Sequence, residues 1–129
     1  HEEVNFDSGK SEIRAEENDK LDASYIQITA AVMTYGRFAS VKLYIAGHTD
    51  TVGKNDANKT LSLNRARALG AWLKKRGLSI PIFYEGFGEG ALLVGTADET
   101  DEVKNRRAEY IIAIDAPTMG PTAQQWKRL

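Results

Sequence analysis

Apolar side chains recur at alternating intervals of four and three residues along residues 15–35. This spacing predicts one face of a long amphipathic helix, which Gly36 would end. The apolar positions are Leu21, Tyr25, Ile28, Val32 and Tyr35. A second helix is predicted over residues 57–76, with Gly77 as its C-cap. The stripe that would pack against the rest of the protein consists of Leu61, Ala66, Leu69, Trp72 and Leu73.

Four shorter segments are rich in apolar and β-branched residues and are bounded by turn residues, as strands are. They are residues 3–6, 41–46, 82–86 and 108–114. Along residues 41–46 apolar side chains alternate with others, which is typical of a sheet with one covered face. The predicted order is β-α-β-α-β-β. The fold class is therefore α/β, a two-layer sandwich with a mixed sheet of about four strands and two main helices on one face.

The 129 residues are enough for one hydrophobic core, and no linker divides them. Residues 1–115 are predicted to form this single domain. Residues 116–129 contain Pro117, Gly120 and Pro121, and they are predicted to be a poorly ordered extension. Strand-like sequence begins almost at the first residue, so we expect a domain cut from a longer protein.

Composition excludes several classes of protein. Hydrophobic residues make up 42% and charged residues 27% of the chain, as in ordinary globular proteins. The formal net charge of −1 gives no basic footprint for nucleic acid or for a membrane surface. The chain has no cysteine, which excludes disulfides, thiolate metal sites and cysteine nucleophiles.

Arg65 stands out because it falls in the middle of the apolar stripe of the second helix when residues are placed at about 100° each. A guanidinium does not lose its proton, so an arginine on a packed face needs hydrogen-bond acceptors. Asp50 and Asp56 in the preceding polar segment are the nearest carboxylates in sequence, and Asn58 and Ser62 lie on the same side of the helix.

Two interpretations of Arg65 and Asp50 follow from the sequence. They form a structural ion pair that fixes the loop to the helix. Alternatively, the two charges are held close together to bind a ligand that carries both an ammonium and a carboxylate group. Arginine suits the carboxylate because its planar fork binds two oxygens at once.

His48 invites two other hypotheses. With Asp50 it could supply two metal ligands, but a zinc site needs more, and His1 is the only other histidine. We therefore predict no metal and no cofactor. His48, Asp50 and Ser62 also include the residue types of a hydrolase triad, although no nucleophile-elbow sequence surrounds Ser62. A structural role for His48 in ordering the turn is the simpler interpretation.

Five stretches together resemble the OmpA C-terminal-like family, which includes domains of OmpA, the Pal lipoproteins and MotB-type stator proteins. They recur in the order and spacing of that family over about 110 residues. The stretches are NFDSGKSEI (5–13), IAGHTDTVG (45–53), NKTLSLNRARALGAWL (58–73), GFGE (86–89) and NRRAE (105–109).

The resemblance implies non-catalytic binding of peptidoglycan through the meso-diaminopimelate of its peptide stem. The family residues that hold the ammonium and the carboxylate match Asp50 and Arg65, and a supporting polar residue matches Asn58. The positions near the family's site are occupied here by Thr49, Thr51 and Arg106.

The resemblance further implies an anchor between a cell-envelope protein and the cell wall, in the periplasm of a Gram-negative bacterium. Attachment to the outer or inner membrane would lie in a region missing from this chain. Other envelope proteins and a second copy are compatible partners. The alternatives are a cell-wall hydrolase that uses His48, Asp50 and Ser62, and a protein-interaction module of an envelope or motor complex.

Overall fold

The computed structural model describes residues 2–7, 9–36, 40–49, 55–88, 106–117 and 125–129. The elements within these ranges are β1 (Glu2–Asn5), a 3-10 turn (Ala15–Glu17), α1 (Asn18–Tyr35), β2 (Lys42–Gly47), α2 (Asn55–Arg76), β3 (Ile82–Gly86), β4 (Arg107–Ala113) and β5 (Lys127–Arg128). The order from β1 to β4 is the predicted one.

The strands form one sheet in the order β1-β4-β2-β3-β5. β2 and β3 are parallel, and the other neighbouring pairs are antiparallel. Leu43 and Ile45 of β2 are buried in the same core cluster as Leu69 and Leu73 of α2. The mixed sheet with two helices on one face confirms the predicted fold class, and the described residues form five strands where about four were expected.

α1 begins at Asn18, after the 3-10 turn, and so starts later than the sequence pattern suggested. At the start of the helix, the Glu17 carboxylate accepts a hydrogen bond of 2.8 Å from the backbone N–H of Asn5, which ties β1 to α1. Tyr35 was predicted to lie on the apolar face, but it is 61% exposed. Helical periodicity gives the direction of a side chain, but it does not show how far along the helix the packing partner extends.

α2 begins at Asn55, slightly before the predicted start, and ends as the sequence predicted. Gly77 adopts a left-handed φ of 122°, which is accessible to glycine at little cost. Its N–H bonds to the carbonyl of Lys74 and the N–H of Leu78 bonds to the carbonyl of Leu73, both at 3.1 Å. This pair of bonds is a Schellman motif, which satisfies the last carbonyls of the helix.

α2 lies very close to the carboxyl ends of β2 and β3. A Cβ atom added at Gly47 would overlap the carbonyl oxygen of Ser62, and one added at Gly86 would overlap the backbone of Leu63. Only glycine allows this approach of helix and sheet. The early turns of α2 are thereby fixed over the edge where β2 and β3 end.

Candidate functional site

The first residues after β2, His48 and Thr49, lie at one edge of the sheet. Because β2 and β3 are parallel and β4 is antiparallel to β2, this edge holds the ends of β2 and β3 and the start of β4. The end of β1 lies there too, since the N–H of Phe6 donates to the carbonyl of Arg106 at 2.8 Å. Ligand sites in layered α/β folds often lie at such strand ends.

Arg65 is buried at this edge, with 1% of its surface exposed. Its guanidinium donates hydrogen bonds to three backbone carbonyls, those of Lys10 (2.8 Å), His48 (2.9 Å) and Asp7 (3.0 Å). The Arg65 Cζ atom also lies 5.2 Å from the centre of the Phe6 ring, a cation–π distance. One side chain on α2 therefore holds the turn after β1 against the segment after β2.

The burial of Arg65 agrees with its predicted place on the packed face of α2. These three acceptors are backbone carbonyls, whereas the sequence had suggested the carboxylates of Asp50 and Asp56. The predicted partner Asp50 lies outside the described residues, as does the candidate Thr51.

Three other candidate residues lie within the described ranges. Thr49 is buried, and its N–H donates to the carbonyl of Gly88 at 2.9 Å. Its hydroxyl oxygen has no hydrogen-bond partner in the described part of the chain. Asn58 is also buried, near the start of α2. Arg106 donates from Nε to the carbonyl of Phe6 at 2.9 Å, so Arg106 and Arg65 bind the same turn after β1.

Ser62 has a structural role. Its hydroxyl donates to the carbonyl of Lys59 at 2.7 Å and accepts from the N–H of Gly88 at 2.8 Å. The first bond lies within α2, and the second links α2 to the residues that follow β3. The hydroxyl is thus bonded to backbone groups, and among the described residues it does not make the contact with His48 that the hydrolase alternative requires.

His48 points to the sheet face opposite the helices. Its Nε2 lies 3.2 Å from a carboxylate oxygen of Glu109, and its ring stacks on Phe87 with centres 5.6 Å apart. Burial lowers the pKa of His48, and the positive charge of Arg107 acts in the same direction. For Glu109, burial by itself would raise the pKa, but the hydrogen bond with His48 and the charge of Arg107 lower it.

Sequence reasoning anticipated a scaffolding role for His48 but missed its partner Glu109. The two are 61 residues apart, and only strand pairing brings them together. The alternation in β4 carried a usable signal, since Ala108 and Tyr110 are buried with the helices and the intervening Glu109 must face the other way.

The described ranges contain no group of three or more His, Asp or Glu side chains that could hold a metal ion. His1, the other histidine considered as a ligand, lies outside those ranges. Among the described helices, none is long and apolar enough to cross a membrane.

Residues 5–106 match the model of the OmpA family. This match covers most of the chain, and the protein therefore belongs to the OmpA family. Outer membrane protein A of Serratia odorifera is 34% identical over 88 residues, covering 67% of this chain and 34% of that protein. Photosystem I P700 chlorophyll a apoprotein A2 of Gloeobacter violaceus is 29% identical over 118 residues, covering 86% of this chain and 13% of that protein.

Among solved structures, the peptidoglycan-associated lipoprotein of Burkholderia pseudomallei matches with a TM-score of 0.71 at 20% identity. The match covers 88% of this chain and 91% of the lipoprotein chain, and it shows that the two share a fold. By contrast, the chain spans about a third or less of the length of the curated relatives it matches.

Proposed function

We propose that this domain binds peptidoglycan non-covalently through the meso-diaminopimelate of the peptide stem. Asp50 receives the ammonium group of diaminopimelate, and Arg65 receives its carboxylate. Thr49, Thr51 and Asn58 supply polar contacts around these two residues. Arg106 adds positive charge at the same edge of the sheet.

The observation that carries this proposal is the position of the buried Arg65 guanidinium. It lies 2.9 Å from the carbonyl of His48, two residues before Asp50 in the chain. Membership of the OmpA family adds support, as does the shared fold with a protein named a peptidoglycan-associated lipoprotein. A planar guanidinium is suited to a carboxylate because it donates two parallel hydrogen bonds.

Because only 1% of Arg65 is exposed, a ligand carboxylate reaches the guanidinium only after the site rearranges. We therefore expect modest affinity for a single stem peptide, which salt weakens by screening the charges. Many copies bound to one polymer hold firmly through multivalency. In this way the domain anchors an envelope protein to the cell wall, in the periplasm of a Gram-negative bacterium, with membrane attachment outside this chain.

The proposed binding is non-catalytic. The Ser62 hydroxyl is bonded to two backbone groups, and the His48 ring is bonded to Glu109 on the other side of the sheet. Incubation with purified sacculi should therefore release no soluble muropeptides. Release of muropeptides that a Ser62→Ala substitution abolishes would favour the hydrolase alternative.

The binding test is a pull-down on sacculi that contain diaminopimelate, with free meso-diaminopimelate as competitor. Asp50→Asn removes the charge proposed to bind the ammonium group and keeps the size of the side chain. Asp56→Asn is the matched control, because Asp56 is an exposed carboxylate in the first turn of α2. We expect Asp50→Asn to lose binding and Asp56→Asn to keep it. Equal binding by the folded Asp50→Asn variant and the parent would refute the proposed site.

Arg65→Lys is the companion variant, chosen in place of Arg65→Ala because Arg65 also holds two segments of the fold together. Lysine keeps the positive charge but lacks the planar fork. We expect it to bind sacculi more weakly than the parent while remaining folded, which a circular dichroism spectrum of the same sample checks.

A further inference from the structure

Trp126, near the end of the chain, packs on the sheet face opposite the helices. Tyr44 alternates with the core residues Leu43 and Ile45, so its ring lies on that opposite face. The Trp126 ring meets Tyr44 edge-on with centres 5.3 Å apart, and it meets Phe87 edge-on at 6.2 Å. Residues 116–129 were predicted to be a poorly ordered extension; of these, the described Trp126 contacts the rings of Tyr44 and Phe87.

The backbone on either side of Trp126 is held by groups other than the indole. The buried carboxylate of Glu85 accepts a hydrogen bond from the N–H of Gln125 at 3.0 Å and one from Nζ of Lys127 at 3.1 Å. The N–H of Leu129 donates to the carbonyl of Ile82 at 2.9 Å, which extends the pairing of β5 with β3. A change confined to the indole ring should therefore leave the path of the backbone intact.

Phe87 connects Trp126 to the candidate site. The Phe87 ring stacks on His48 with an interplanar angle of 17°. The N–H of Phe87 donates to the carbonyl of Gly47 at 3.0 Å, and the next residue, Gly88, accepts from the N–H of Thr49. The ring and backbone of Phe87 thus both contact the segment that begins the GHTD sequence.

The contacts then continue to Arg65. The carbonyl of His48 accepts a hydrogen bond from Nη1 of Arg65 at 2.9 Å. A continuous path of packed rings and hydrogen bonds therefore runs from Trp126 through Phe87 and His48 to the guanidinium. Close packing limits the rotamers available to each ring, so removing one ring loosens the next.

We propose that Trp126 is a positioning residue for the Arg65 site. Its indole holds Phe87 against His48 and so fixes the His48 backbone, which binds Arg65 next to the proposed ligand site. This inference rests on the proposed function. Because the proposed binding needs a rearrangement at Arg65, we expect these contacts to transmit it to Trp126. The indole would therefore support the site, and its surroundings would change when the ligand binds.

The fluorescence experiment uses the fact that the chain has two tryptophans, Trp72 and Trp126. In a Trp72→Phe background Trp126 is the sole indole, and its emission reports on the environment next to Phe87. Titration with free meso-diaminopimelate should shift this emission, and Asp50→Asn in the same background should abolish the shift. Unchanged emission at a concentration that competes fully with sacculi would overturn the inference.

The binding experiment compares Trp126→Ala, Trp126→Phe and the control Arg128→Ala on sacculi. Arg128 belongs to the same segment but packs over Phe83, 5.9 Å from the ring centre. We expect Trp126→Ala to bind about five- to tenfold more weakly, the size of effect seen along coupled contacts. Trp126→Phe should restore most of the affinity, and Arg128→Ala should bind as the parent does.

The outcomes separate the two proposals. If Asp50→Asn binds like the parent, the proposed site fails and the role of Trp126 fails with it. If binding needs Asp50 while folded Trp126→Ala binds like the parent, the site stands and the positioning role is wrong. Weakening by Arg128→Ala equal to that by Trp126→Ala would also overturn it, because loss of β5 packing in general would then explain both. The fluorescence titration decides the case in which Trp126→Ala does not fold.

Discussion

Replacing Arg65 with alanine should destabilise the fold more than any exposed substitution on α2. The change removes three charge-assisted hydrogen bonds, to the carbonyls of Lys10, His48 and Asp7. Bonds of this kind contribute about 1.5–3 kcal/mol each, and a buried acceptor left without a donor costs a similar amount.

The sum is reduced because the bonds to Lys10 and Asp7 are only partly buried, whereas the bond to His48 is buried. Asp7 and Lys10 are exposed residues, whereas His48 is buried. Counting the exposed pair at about 1 kcal/mol each and the His48 carbonyl at about 2, we expect a loss of about 3–5 kcal/mol. A domain of this size has a total stability of about 5–15 kcal/mol, so the variant should be marginally folded.

Urea denaturation followed by far-ultraviolet circular dichroism measures the loss. Arg67→Ala is the matched control, because Arg67 is exposed on the same helix and should change stability by less than about 0.5 kcal/mol. Arg65→Lys should fall between them, since an ammonium group keeps the charge but cannot donate along the same fork. A loss of less than about 1 kcal/mol for Arg65→Ala would refute the view that Arg65 holds the two segments together.

Three further predictions concern pH, packing and β5. The folded pKa of His48 lies below its ordinary 6.5 and that of Glu109 lies below 4.5, so stability should fall as pH drops below 6.5 and again below 4.5. The His48→Gln substitution should remove the first of these two losses. A melting temperature that stays constant from about pH 8 to about pH 5 would contradict the prediction. Gly47→Ala should cost about 2–3 kcal/mol in urea denaturation because the new methyl group meets backbone of α2, and a neutral result would argue against the close approach. Glu85→Ala should speed hydrogen exchange of the Leu129 amide, which bonds to β3, while unchanged protection would show that the carboxylate does not hold β5.

The sequence predicted most of the fold because its signals there are local. The periodicity of two and the periodicity of 3.6 identified β1 to β4 and both helices, and Gly77 marked the end of α2. The same periodicity placed Arg65 on the packed face, where the structure has it. β5 could not be found in this way, because its two charged residues show no alternation. This strand depends on tertiary contacts, namely its pairing with β3 and the bond of Lys127 to Glu85.

For the candidate site, the sequence determined that Arg65 needs buried hydrogen-bond acceptors, and the tertiary structure decided which groups supply them. A buried arginine signals a need for acceptors, and its position in the second helix directed the search to the polar segment that precedes this helix. Among the acceptors found are three backbone carbonyls, and every residue of any sequence carries a carbonyl, so no pattern of side chains could have identified them. The contacts of His48 with Glu109 and of Trp126 with Phe87 are equally non-local, since the pairing of strands and the docking of the last residues bring them together.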